Sequence, residues 1–187
     1  MKIIETAIPG VLIIEPKVFG DDRGYFLETW QKERYADHGI PAGMVQDNQA
    51  YSRHGVLRGL HIQHPYAQGK LVQVLRGEVF DVAVDARRGS PWFGRWVGVL
   101  LSGENKRQFW VPPGFAHGYY VTAEEALFTY KCTDYYHPQN ELSVAWNDPA
   151  IGIDWPLTGD PVLSQKDSAA VPLGQVPGER LPPFPKS

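Results

Sequence analysis

At 187 residues with 43% hydrophobic and 12% aromatic content, the chain can bury one real core and is short enough that a single domain is the default. A formal charge of −3 and a pI near 6.1 exclude a strongly basic nucleic-acid binder but leave room for a local basic pocket that takes a small anion. Cys132 is the only cysteine, which excludes an internal disulfide framework and a cysteine zinc cluster and points to a reducing cytoplasm. Met1 to Gly10 lacks a signal-like pattern and no apolar run reaches membrane-spanning length, so a soluble, unexported protein is expected.

The 19 glycines and 16 prolines recur at short intervals, which disfavours long helices and suits short strands joined by turns. Val11 to Glu15 and Tyr25 to Trp30 read as strands around the polar turn Gly20-Asp21-Asp22-Arg23-Gly24, which places Arg23 on a loop. Gln31 to His38 reads as a short connecting helix, ended by Gly39 with Pro41 beyond it. In the next strand, Val45 to Ser52, Gln46 and Asn48 share one face, either lining a polar cavity or blunting a sheet edge.

Lys70 to Arg76 and Val79 to Asp85 predict a hairpin turning at Gly77-Glu78. Arg95 to Ser102 and Lys106 to Val111 read as two strands around a Ser-Gly-Glu-Asn turn, and Tyr119 to Thr122 with Ala126 to Thr133 as a further pair. About ten strands without alternating helices predict an all-β sandwich, jelly roll or closed barrel. From about Asp148 the pattern decays, and residues 171–187 read as an irregular Pro/Gly-rich tail, packed across the domain or partly loose.

The stretch Val56 to Gln63 sets Arg58 and His61 inside an apolar, strand-like run. Charges buried without partners are costly, so the run predicts either a lined cavity or a structural ion pair beside a satisfied core histidine. The two residues are three apart, and a regular strand would point them to opposite faces. A bulge at Gly59 would bring them to one cavity.

Pro112-Pro113-Gly114-Phe115-Ala116-His117 is similar to the second motif of the cupin superfamily of jelly-roll barrels. The first motif departs from the metal-binding pattern. His61-Ile62-Gln63 stands where a His-x-His pair would be, and Lys70 stands roughly where a glutamate ligand would, so no metal is expected. Two imidazoles, an ammonium, a guanidinium and amides suit binding and deprotonating an anionic or carbonyl-bearing substrate. No glycine-rich phosphate loop of either common type occurs, leaving arginine and lysine to meet phosphate charge.

Six segments in order resemble the dTDP-4-dehydrorhamnose 3,5-epimerase family: Val45 to Asn48, Val56 to Gln63, Gly69 to Val72, Gly77 to Asp85, Pro113 to Gly118 and Leu163 to Asp167. The resemblance covers roughly Ile8 to Ala170 and implies one cupin-type jelly-roll domain over 1–187, core about 8–170. It implies epimerisation at C3 and C5 of a dTDP-4-keto-6-deoxy sugar in dTDP-L-rhamnose biosynthesis, without metal or organic cofactor, in a cytoplasmic homodimer. Related 3-epimerases, ketoisomerases and a non-catalytic sugar-nucleotide binder are the alternatives.

By the same resemblance His61 is the base, Asp167 orients it, Lys70 stabilises the enolate oxygen and Tyr130 returns a proton from the opposite face. Arg23, Glu28, Gln46, Asn48, Arg58, His117, Glu141 and Lys166 match substrate contacts. Phe19 offers an aromatic face to the nucleotide base, and Tyr136, which with Tyr135 competes with Tyr130 for the acid role, is placed as a substrate contact. On spacing alone Tyr130, in an aromatic-rich stretch, reads as core packing, and Asp167 and Lys166 read as solvated loop residues.

Overall fold

The computed structural model describes residues 1–41 and 43–185, so the last two positions of the expected tail lie outside the described residues. Eleven strands dominate: β1 (Lys2–Glu5), β2 (Leu12–Glu15), β3 (Val18–Asp21), β4 (Gly24–Leu27), β5 (Gln46–Arg53), β6 (Leu57–Gln63), β7 (Lys70–Asp85), β8 (Trp96–Ser102), β9 (Gln108–Val111), β10 (Phe115–Cys132) and β11 (Glu141–Ser143). Two helices of one turn or so, α1 (Lys32–Ala36) and α2 (Gln165–Ser168), join them. Among the described residues no helix is long and apolar enough to cross a membrane.

The long strands β7 and β10 are antiparallel partners and each serves two sheets. The first half of β7 pairs with β9 and with the second half of β10, giving the order β1-β2-β9-β7-β10-β5. The second half of β7 pairs with β8 and with the first half of β10, giving β8-β7-β10-β6-β11. Val72, Val74, Phe109 and Phe128 from one sheet meet Val79, Ala83, Leu101 and Tyr119 from the other in one apolar core.

The hairpin expected at Gly77-Glu78 is a bend within β7, and the strands expected at Tyr119 to Thr122 and Ala126 to Thr133 are one strand, β10. Both strands keep their mutual ladder across the bend, with a register shift between Val121 and Ala126. Gly77 has φ +76°, and a Cβ there would fall 1.7 Å from the Glu125 carbonyl oxygen. The glycine marks a close approach of two backbones, which a sequence pattern does not distinguish from a turn. β1, β3 and β11 were not anticipated, and the strand expected over Tyr25 to Trp30 stops at Leu27 in the separate two-stranded ribbon β3–β4.

Helix α1 is more than a connector. Gln31 caps it, its side chain accepting from the Arg34 amide, and Tyr35 is only 1% exposed. The Tyr35 ring packs with Leu12, Ile14, Ile40, Leu71 and Trp110. Its hydroxyl donates to Gln108 Oε1 at 2.8 Å, and burial pushes the phenol up to about 12. Leu173, Val176 and Leu181 of the tail cover Leu60, Ile62, Val82 and Val84 on the outer face of the second sheet.

Tyr35→Ala is expected to cost about 3–5 kcal/mol through the cavity it opens, and Tyr35→Phe about 1–2 kcal/mol through the acceptor left unpaired. Thermal or denaturant unfolding checks this, and an unchanged midpoint for the alanine variant would return α1 to the status of a connector.

Candidate active site

The site begins with a register slip between β6 and β10. His61 lies opposite His117 and Arg58 opposite Tyr119, so three steps of β6 face two of β10. Gly59 sits in the extra step with φ +117°, where a Cβ would stand 2.7 Å from His117 O and from Gly118 Cα. The bulge expected there is present, and it resets the alternation. Arg58 and His61 thus line one cavity of about 540 Å³ with Val56, Leu57, Val162, Leu163, Ser164, Lys166 and Asp167.

Helix α2 delivers Asp167. Ser164 caps the helix, accepting from the Asp167 amide at 3.1 Å and donating its hydroxyl to Asp167 Oδ2 at 2.8 Å. Asp167 Oδ1 lies 2.6 Å from His61 Nε2. An ionised carboxylate can only accept, so the network assigns the Nε2 proton to this bond and leaves the Nδ1 lone pair free. Burial raises the Asp167 carboxyl, but hydrogen bonds from His61, Ser164 and the Gly59 amide outweigh it and hold the group below the usual carboxylate range.

Glu141 on β11 faces the other imidazole nitrogen, with Oε1 3.8 Å from His61 Nδ1. Its Oε2 accepts from Lys166 Nζ at 2.7 Å and from the Tyr136 hydroxyl at 2.9 Å. Burial pushes Glu141 up, while Lys166, His61 and Tyr136 bring the net shift below the usual value.

β5, β7 and β10 carry the other candidates, which do not line that cavity but act on its neighbours: Glu141 acts on both Lys70 and Tyr130, Lys166 on Lys70 and Arg58 on Tyr130. Lys70 is the register partner of Cys132 and Asn48 that of Tyr130. Lys70 Nζ stands 5.9 Å from the centroid of the Tyr130 ring. Burial pulls the Lys70 ammonium below its ordinary range and pushes the Tyr130 phenol up to about 12, where the phenol is a neutral donor at physiological pH. Gln46 Nε2 donates to Asn48 Oδ1 at 3.1 Å, and Arg58 Nε donates to Ser52 Oγ at 3.1 Å. His117 Nε2 lies 2.8 Å from Asp81 Oδ1, a second imidazole–carboxylate couple.

Most of the candidate residues therefore converge, but Phe19, Arg23 and Glu28 do not. Phe19 and Arg23 lie on the exposed β3–β4 ribbon, where Arg23 pairs with Asp21, and Glu28 just beyond it pairs with Arg34. Two residues were not anticipated. Gln63 pins the Tyr135–His137 loop, donating to Tyr135 O at 3.0 Å and accepting from the His137 amide at 2.7 Å. Asp81 is fully buried, and its signal was a lone carboxylate in the apolar alternation of Val79, Asp81 and Ala83.

Residues 5–175 match the family described as dTDP-4-dehydrorhamnose 3,5-epimerase. The chain belongs to that family. The enzyme of this description from Pseudomonas aeruginosa is 56% identical over 168 residues, covering 89% of this chain and 93% of its own length. That from Escherichia coli K12 is 51% identical over 179 residues, covering 94% and 96%. The crystal structure of the Legionella pneumophila dTDP-6-deoxy-D-glucose-3,5-epimerase with dTDP-4-keto-L-rhamnose superposes with a TM-score of 0.97 at 57% identity, covering 99% of each chain. A 3′-monoepimerase from Streptomyces bikiniensis with dTDP-quinovose is similar at 34% identity and a TM-score of 0.88, covering 95% and 91%. The fold is therefore the mostly β, cupin-type fold of this family, and the protein is an isomerase of dTDP-rhamnose biosynthesis.

The depressed Asp167 carboxyl has a pH consequence. Its contribution to stability is present above the unfolded value of about 3.9 and is lost as pH falls through the lower folded value. The difference in melting temperature between wild type and Asp167→Asn is expected to shrink as pH falls below about pH 4. A difference that grows below about pH 4 would contradict the couple.

Proposed function

We propose that the His61 cavity performs the two epimerisations by proton transfer beside the C4 ketone of dTDP-4-dehydro-6-deoxy-D-glucose, giving dTDP-4-dehydro-L-rhamnose. His61 Nδ1 takes the proton from carbon, and the electron pair moves into an enolate whose oxygen is met by the Lys70 ammonium. Asp167, accepting from Nε2 at 2.6 Å, stabilises the imidazolium that forms. Tyr130 gives its hydroxyl proton to the opposite face of the same carbon. Each inversion leaves one proton too many on His61 and one too few on Tyr130, and exchange with solvent resets both. The observation that carries this reading is the His61–Asp167 couple, with Glu141 beside His61 acting on both Lys70 and Tyr130.

Around the reacting ring, Gln46, Asn48, Arg58, His117, Tyr136, Glu141 and Lys166 contact the substrate. Arg58 and Lys166 line the cavity and supply the positive charge that a diphosphate requires. We read residues 1–187 as one such domain, acting in the cytoplasm, where the buried free thiol of Cys132 stays reduced.

The working form in this reading is a homodimer. Val18, Phe19, Tyr25 and Phe26 of the β3–β4 ribbon are between 42% and 70% exposed, an apolar surface that a second copy would cover. Phe19, Arg23 and Glu28 then serve the neighbouring site.

In heavy water the protein is expected to place deuterium at both C3 and C5 of the 4-keto sugar. His61→Asn is expected to fold normally and lose at least about a hundredfold in activity. Exchange confined to C3 would make the protein a 3-epimerase, and turnover by His61→Asn would remove His61 from the base role.

For the assembly, His61→Asn and Arg23→Ala variants, each inactive alone, are expected to regain activity when mixed and allowed to exchange subunits. Continued inactivity in a mixture shown to contain mixed dimers would place Arg23 in its own barrel.

A further inference from the structure

Asp81 is fully buried in the barrel wall, and only one of its oxygens is engaged. Oδ1 meets His117 Nε2 at 2.8 Å, while Oδ2 is buried without a hydrogen-bond partner. An unpaired carboxylate oxygen in a low-dielectric interior is costly and is retained where it has a task. His117 stands directly opposite His61 in the β6–β10 ladder, so the two imidazoles are neighbours on one face. Asp81 belongs to the same inward row of β7 as Val79 and Ala83, and Lys70 continues the inward row of Val72 and Val74 before the bend.

The charges around Lys70 narrow the task. Glu141 on β11 and Lys166 on α2 act on it, but Glu141 is already held by Lys166 and Tyr136. On β10, burial keeps the Cys132 thiol and the Tyr130 phenol protonated, so neither supplies a negative charge. Glu141 and Asp81 are the carboxylates that act on the ammonium, Glu141 from the mouth of the site and Asp81, the weaker of the two, from inside the barrel.

We propose that Asp81 is a positioning residue of the epimerase, holding His117 with its Nδ1 turned toward the substrate and keeping the Lys70 ammonium charged for the enolate oxygen. Oδ2 is the acceptor that a sugar hydroxyl or the Lys70 ammonium completes when substrate is bound. Burial opposes ionisation of Asp81, and the His117 and Lys70 charges favour it. The inference rests on the epimerase reading and adds a residue to it.

Asp81→Asn tests this, because the asparagine oxygen can still accept from His117 while the charge is gone. A carboxylate raises the pKa of a neighbouring ammonium, so its removal lowers that of Lys70 and moves the alkaline limb of the kcat profile to lower pH. The expected shift is at least about one pH unit, with kcat down about tenfold to a hundredfold and dTDP affinity unchanged. A folded Asp81→Asn protein with wild-type kcat and an unmoved alkaline limb would overturn the proposal. Nitrogen-15 histidine NMR on the unaltered protein supplies a readout that does not depend on the variant folding. His117 is expected to carry its proton on Nε2, and a proton on Nδ1 alone would mean a neutral Asp81 and would equally overturn it. Wild type without any C3 or C5 exchange would sink the function itself, whereas an active wild type with an indifferent Asp81→Asn sinks this inference alone.

Discussion

The pairing of β7 with β10 is the constraint on which the rest of the molecule depends. Because both strands bend and keep their ladder on either side of the bend, each sheet is anchored to the other by continuous backbone rather than by loops. The same pairing assembles the chemistry, since β7 brings Lys70 and Asp81 and β10 brings His117, Tyr130 and Cys132 to one interior. The close approach at Gly77 is the local condition for this, and Gly59 is its counterpart where β6 joins the wall. Both glycines have positive φ and both would place a Cβ against a neighbouring strand's backbone, so two conformational permissions shape the cavity.

Polar groups inside a barrel must be satisfied or used. Arg58 is braced by Ser52, Gln46 by Asn48, Asp167 by both Ser164 and His61, and Glu141 by Lys166 and Tyr136. These contacts fix rotamers before substrate arrives, which lowers the reorganisation needed at the reacting carbon. The apolar core, from Val72 through Phe128, sits behind this layer and supplies the rigidity against which it is held.

Much of this was legible in the sequence, for identifiable reasons. The all-β architecture followed from glycine and proline punctuation and period-two alternation, and Val56 to Gln63 stood out because a cation and an imidazole interrupt an apolar run. The bulge at Gly59 could be anticipated from parity, since residues three apart cannot share a face of a regular strand. The long bent strands were missed because a glycine at a close backbone approach and a glycine at a hairpin turn look alike in one dimension. Tyr35 was missed because helix α1 is too short to show a period, although the tyrosine is held by Gln108, 73 positions away. Asp81 carried a signal of the same kind as Arg58, but the partner that gives it meaning, His117, lies 36 positions downstream.

In the proposed mechanism, the choice of acid and base on the two faces of the ring follows from burial. A carboxylic acid opposite His61 would ionise unless strongly shifted, and its negative charge would oppose enolate formation. Burial instead acts on Tyr130 to keep it neutral, with the phenol pushed up to about 12, so it donates without first repelling the developing anion. The same burial weakens Lys70 as a cation, because desolvation acts against charged ammonium and charged phenolate alike. A dry wall that suits the tyrosine therefore works against the lysine, and an interior carboxylate acting on Lys70 is the physical means of keeping both in the protonation states the reaction needs.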